Sequence, residues 1–201
     1  MTGLDSAPAA DRPAPARTPG DIAPSVPGAS ALFAPHETPA LIDHILERFH
    51  ATHRRELADL IRLARKVEAV HAGHPLAPVG LADALVDLSA ELETHMAKEE
   101  LILFPMMRAG GSPMIAHPLA VMRHEHEAHG VRLRALTAMT GDGRMPEDAC
   151  RSWQALTAGV RKLVADVTDH IAIENDLLFP RFAAPEPASR TTGCGCAMRG
   201  A

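Results

Sequence analysis

Two stretches of this chain, His95-Met-Ala-Lys-Glu99-Glu-Leu-Ile-Leu-Phe104-Pro105 and His170-Ile-Ala-Ile-Glu174-Asn-Asp-Leu-Leu-Phe179-Pro180, agree at six of eleven positions at an offset of 75 residues. A second pair repeats at almost the same offset: His50-Ala-Thr-His53 with Leu57 and Leu60 aligns, 76 residues on, with His126-Glu-Ala-His129, Leu133 and Leu136. The chain therefore reads as two similar helical hairpins. Apolar residues recur at i, i+3, i+4 and i+7 over about 38 to 71, 80 to 108, 115 to 140 and 147 to 183, and no strand-like alternation competes with that period. Thr38-Pro39 and Met145-Pro146 are expected to place proline in a first helical turn, where its missing N–H costs nothing. Gly73, Pro75, Gly110-Gly111 and Gly141-Asp-Gly143 mark the breaks. Four helices on short links predict an all-α, up-down-up-down four-helix bundle. A pseudo-two-fold axis between the hairpins would bring the repeated polar residues face to face.

The flanks differ from this body. Residues 1–37 hold seven of the 17 prolines and almost no large apolar residue, which predicts a disordered Pro/Ala-rich tail. Residues 185–201, with Cys194-Gly195-Cys196, read as a flexible tail, which leaves 38–184 as one domain with enough chain for a single core. Lys+Arg 20 against Asp+Glu 25 leaves a formal charge of -5, and aromatics are 3%, so neither a cationic footprint for nucleic acid nor a base-stacking surface is present. Three cysteines cannot build a disulfide framework, and their odd count argues against an oxidising compartment. With no readable signal peptide and no run of about eighteen apolar residues, a cytoplasmic protein without a membrane span is expected.

Twelve histidines, scattered from His36 to His170 without forming a run, are the loudest feature of the composition. Imidazole is the commonest metal ligand, and the spacing shows which of the twelve to consider. His95/Glu99 and His170/Glu174 stand at i and i+4, one turn apart on one helix face, close enough to serve one metal centre. His50 and His53 fall in the apolar stripe with Phe49, Leu57 and Leu60, and His126 and His129 fall in that of Met122 and Leu133. Periodicity alone does not choose between His50 and His53, or between His126 and His129. Two carboxylates buried opposite imidazoles require compensating positive charge, which two divalent cations would supply. One His-x-x-x-Glu is a common accident, but two copies in equivalent places, each followed by Leu-Phe-Pro, point to a dinuclear site. Phe104 and Phe179 are expected to close the core beneath it, with Pro105 and Pro180 kinking or ending their helices. Met96, Met106, Met107 and Met122 read as core filler. His36, His44, His74 and His117 read as surface or loop residues, and Cys150, opening the fourth helix, as a packed thiol.

His50, His95-x-x-x-Glu99, His126 and His170-x-x-x-Glu174 in a four-helix bundle resemble a hemerythrin-like domain. More narrowly, Arg54-Arg-Glu-Leu-Ala-Asp-Leu-Ile, Ala64-Arg-Lys-Val-Glu68, His95-Met-x-Lys-Glu-Glu-x-Ile-Leu-Phe-Pro-Met106, Val121-Met-x-x-Glu-His126 and His170-Ile-x-x-Glu-Asn-x-x-Leu-Phe-Pro-Arg181 resemble the iron-sulfur cluster repair di-iron proteins. That resemblance implies an oxo- or hydroxo-bridged non-haem di-iron centre on His50, His95, Glu99, His126, His170 and Glu174. Each iron would take two imidazoles, with both glutamates bridging. It further implies repair of iron-sulfur clusters damaged by nitric oxide or oxidative stress, through iron donation or through nitric oxide binding and reduction. Nitric oxide or dioxygen would be the small ligand and damaged iron-sulfur proteins the clients, with a nitric oxide reductase-type activity and a homodimer left open. The alternatives are a non-enzymatic oxygen, nitric oxide or iron sensor on the same centre, and a metal-free helical interaction protein. Position 174 is Glu where an oxygen-carrying hemerythrin would offer a fifth His, which favours chemistry or iron release over oxygen storage. The family pattern also points to Glu125 and His71 as polar residues near the site, against a plain solvated-face reading. Many members begin with a small module carrying adjacent cysteines. Residues 1–37 carry none, and Cys194 and Cys196 are the alternative source, set against an idle tail.

Overall fold

The computed structural model describes residues 37–183. They form four helices and no strand. Helix α1 runs as Thr38–His44, a π turn Ile45–His50, and Ala51–Val70. Helix α2 runs as Leu81–Lys98, a π turn Glu99–Leu103, and Phe104–Arg108. Helix α3 is Ala116–Met139, and α4 runs as Arg151–Ile173, a π turn Glu174–Leu178, and a closing 3₁₀ turn Phe179–Arg181. Helix α1 packs on α2 and α4, and α3 packs on the same two, so the four stand at the corners of a square with antiparallel neighbours. The tails expected to be disordered lie outside the described residues, as do His36, Cys194 and Cys196.

Three of the four helix starts follow the reading from periodicity, and Pro39 sits in the first turn of α1 as expected. Pro146 does not open α4. Its carbonyl accepts a turn bond from Ala149 N–H at 3.0 Å, Cys150 is extended with ψ 163°, and the helix begins at Arg151. Gly80, at φ 85°, turns the chain into α2 in a left-handed conformation that an L side chain adopts only with strain. Helices α1 and α4 approach so closely that a Cβ on Gly159 would lie 2.6 Å from Cδ2 of Leu60.

The apolar interior is divided in two. One cluster fills the half holding Leu57, Leu60, Ala64, Leu85, Leu88, Leu133, Trp153 and Leu163, and Met96 packs within it. The other fills the opposite end with Leu41, Ile45, Phe49, Phe104, Met107, Met122, Leu178 and Phe179. Between them lies a layer of buried polar side chains: His50, His53, His95, Glu99, His126, His129, His170 and Glu174. Each helix thus passes from one apolar cluster through the polar layer to the other.

A candidate metal centre between the two apolar clusters

Three π turns meet this layer. In an α-helix Pro105 would clash with the carbonyl of residue 101 and could donate no hydrogen bond. The chain widens one turn instead, and Phe104 N–H reaches back to the Glu99 carbonyl. The same happens before Pro180, where Phe179 N–H bonds to the Glu174 carbonyl. In α1, which has no proline there, Ala51 N–H bonds to the Leu46 carbonyl. Single π turns of this kind recur at functional sites, and here His50, Glu99 and Glu174 each border one. Pro105 therefore reshapes its helix without ending it, whereas α4 closes one residue past Pro180.

The six residues expected from the sequence converge. His50, Glu99, His170 and Glu174 place one donor atom each within 4.8 Å of one another, and so do His95, Glu99, His126 and Glu174. Both carboxylates belong to both groups. Glu174 lies 3.1 Å from Nε2 of His126 and of His170, and Glu99 lies 3.4 Å from His50 Nε2 and 3.5 Å from His95 Nε2.

Hydrogen bonding on the far side of the rings sets their tautomers. His50 Nδ1–H donates to Glu100 at 2.8 Å, His95 Nδ1–H to Glu125 at 2.8 Å, and His126 Nδ1–H to Asn175 at 3.2 Å. With the protons held there, the Nε2 lone pairs of these rings point inward. Yet His50 Nε2 stands 3.2 Å from His170 Nε2, and His126 Nε2 stands 3.1 Å from His95 Nε2. Lone pairs at that separation repel unless positive charge lies between them. The carboxylates make the same demand, because Glu99 and Glu174 are 0% exposed and no carboxylate oxygen of either finds a hydrogen-bond partner. Leaving such ions uncompensated costs several kcal/mol each. The donor set therefore fits two cations of the kind that accept both imidazole and carboxylate, the non-haem iron pair among them.

Titration behaviour agrees. Burial, with the neighbouring His170, brings His50 down to about 4, and burial brings His95 to about 4 against the pull of Glu174. Neutral imidazole, the ligand form, is what these rings hold. Burial and the facing Glu174 carboxylate push Glu99 well above the usual carboxylate range, as two acids sharing a dry site must.

His53 and His129, which periodicity left open, are buried in the layer but outside both donor groups. His53 lies against His170 with ring centroids 5.4 Å apart, and His129 against His95 at 4.9 Å. Burial brings His53 to about 3 and His129 to about 4. Three phenylalanines seal the layer: Phe49 stacks on His170, Phe104 on His50 and Phe179 on His126. A cleft of about 450 Å³, lined by Glu91, Lys98, Glu125, His129 and Arg132 among others, opens toward it from solvent.

Of the two further polar residues expected nearby, Glu125 is there, bonded to His95 and to Lys98. His71 is not. It follows α1 at the other end of the bundle, where its Nε2 lies 3.1 Å from Cys150 Sγ. Cys150 is exposed, contrary to the packed thiol expected. Glu100 and Asn175 went unrecognised in the sequence. The signal was there in the repeat: each directly follows a shared glutamate and bonds to the imidazole of a neighbouring helix. His117 is exposed and His44 half-buried against Phe49.

These features define a four-helix bundle with a buried imidazole and carboxylate centre for two cations. Residues 41–182 match the hemerythrin HHE cation binding domain, and the chain belongs to that family. It is 44% identical over 141 residues to the iron-sulfur cluster repair protein YtfE of Dickeya chrysanthemi, covering 70% of this chain and 64% of that one. Over 146 residues it is 44% identical to the protein of the same name from Escherichia coli O157:H7, covering 73% and 66%. The chain thus spans just under two thirds of the length of these relatives. No helix among the described residues is long and apolar enough to cross a membrane.

Proposed function

We propose that this chain holds two iron ions, one on His50 and His170 and one on His95 and His126, with Glu99 and Glu174 shared between them, and that it serves the repair of damaged iron-sulfur clusters. The observation that carries the reading is the pair of fully buried carboxylates with no hydrogen-bond partner, each facing imidazole nitrogens from two helices. The repair role rests on the resemblance to the YtfE relatives.

Bound iron supplies positions for a small ligand such as nitric oxide or dioxygen, and the electrons to change it. The chain's own residues do the rest. Glu100, Glu125 and Asn175 fix three rings by accepting their Nδ1 protons, and the first two make their imidazoles more basic donors. Phe49, Phe104 and Phe179 with the two apolar clusters exclude water, which strengthens every charge interaction inside. Four neutral imidazoles and two carboxylates leave two ferrous ions with two units of positive charge in excess. A centre balanced in that way is held less firmly than a neutral one, which suits iron release. Clients would be proteins with damaged clusters, met in the cytoplasm.

The test is to load the chain anaerobically with ferrous iron and incubate it with an iron-sulfur dehydratase inactivated by nitric oxide. Recovery of the dehydratase at a rate that depends on Glu99 and Glu174 is expected. A chain that binds nitric oxide reversibly without restoring the dehydratase would instead be a sensor.

A further inference from the structure

The end of the bundle remote from the metal centre carries a second cluster of chemically active side chains. His50 and His71 are 21 residues apart along α1, which puts the two sites about 30 Å apart at 1.5 Å per residue. At this end the exposed Cys150 is the N-cap residue of α4 and makes no side-chain capping hydrogen bond. Its Sγ is 3.1 Å from Nε2 of His71. The His71 ring packs on Trp153, itself 4% exposed, with centroids 4.9 Å apart, so the imidazole is braced. His74 is engaged elsewhere: its Nδ1 accepts Leu76 N–H at 3.1 Å and its Nε2 faces Asp148 at 3.4 Å.

We propose that Cys150 is a modification site: a reactive thiol, activated by His71 and the α4 N-terminus, that forms mixed disulfides with low-molecular-weight disulfides. Three conditions that favour a thiolate meet here. An imidazole within hydrogen-bond reach takes the thiol proton, the positive end of a 23-residue helix faces the sulfur, and the sulfur is open to solvent. In the reaction the Cys150 proton passes to His71 Nε2 and the sulfur attacks one sulfur of the incoming disulfide. That S–S bond breaks, and the departing half leaves as a thiolate that recovers the proton. Cys150 is oxidised to a mixed disulfide, one half of the reagent is reduced to a thiol, and no other oxidant is needed. A buried structural thiol would share none of this.

The experiment uses the full chain with Cys194→Ser and Cys196→Ser, so that Cys150 is the only thiol. Oxidised glutathione with intact mass analysis reads the adduct, and 4,4′-dithiodipyridine reads the rate. One glutathionyl adduct on Cys150 is expected, with a rate in the folded chain about tenfold above that of the urea-unfolded chain at the same pH. His71→Gln is expected to remove that advantage, and His74→Gln to leave it. A folded chain that reacts no faster than the unfolded one overturns the proposal. So does a folded His71→Gln chain that reacts as fast as its parent. Should His71→Gln fail to fold, the comparison of folded and unfolded parent still decides.

Discussion

Changing Glu100 to Gln separates the two halves of the metal centre. Glu100 Oε1 accepts His50 Nδ1–H at 2.8 Å, and the same oxygen meets Arg54 at 2.9 Å. Glutamine keeps the size and a carbonyl acceptor but removes the charge that makes His50 a stronger donor. Losing such a partner typically lowers metal affinity 10–100-fold. With the Glu100 side chain 29% exposed, solvent already screens part of its charge, so the low end applies: about tenfold, or ~1.4 kcal/mol. The loss belongs to the position held by His50 and His170, because His95 keeps Glu125 and His126 keeps Asn175. Arg54 keeps both its bonds to Glu93, at 2.7 and 3.0 Å, so the metal-free melting temperature is expected to stay unchanged. Anaerobic ferrous titration against a coloured chelator reads the two steps. One weakened step beside one of parental affinity supports the arrangement, whereas equal weakening of both, or of neither, refutes it.

Three further outcomes follow from the same geometry. In the metal-free chain His50, His95 and His129 are held to about 4 and His53 to about 3, against an ordinary value near 6.5, so the unfolded state binds more protons below that value. Their contribution to stability is complete above about pH 6.5 and is lost as pH falls toward 4, and a urea midpoint that stays flat across that window would contradict it. Saturating the centre at a hundred times its dissociation constant is expected to add about 2.7 kcal/mol, a rise of several degrees in melting temperature by calorimetry that a chelator reverses. Gly159→Ala drives a Cβ to within 2.6 Å of Leu60 and is expected to cost about 1–3 kcal/mol in chemical denaturation. Adding Leu60→Ala should make the Gly159→Ala change less costly than it is alone.

Helix number and order, and the place of the centre, were legible in the sequence because they depend on period and repetition. Apolar residues at helical spacing set the four elements, and two copies of His-x-x-x-Glu at an offset of 75 residues set the pseudo-symmetry. Choosing His50 over His53 and His126 over His129 needed family resemblance, since all four share a buried face. The structure separates them by ring contact against donor convergence. The π turns stayed hidden because a widened turn changes one hydrogen bond without changing composition, although Pro105 and Pro180, six residues after each glutamate, were its trace. Placing His71 near the centre failed on length, for the 20 residues Ala51–Val70 carry it to the opposite end. Pro146 misled because proline suits a turn as well as a first helical position, and the turn won.

The account turns on Glu99 and Glu174 being shared by two irons. The direct measurement is iron analysis with Mössbauer spectroscopy of the anaerobically loaded chain, after oxidation. Two irons per chain, magnetically coupled into one signal, with Glu99→Ala and Glu174→Ala each losing the coupling, is the predicted result. One iron per chain, or two uncoupled irons, would contradict it.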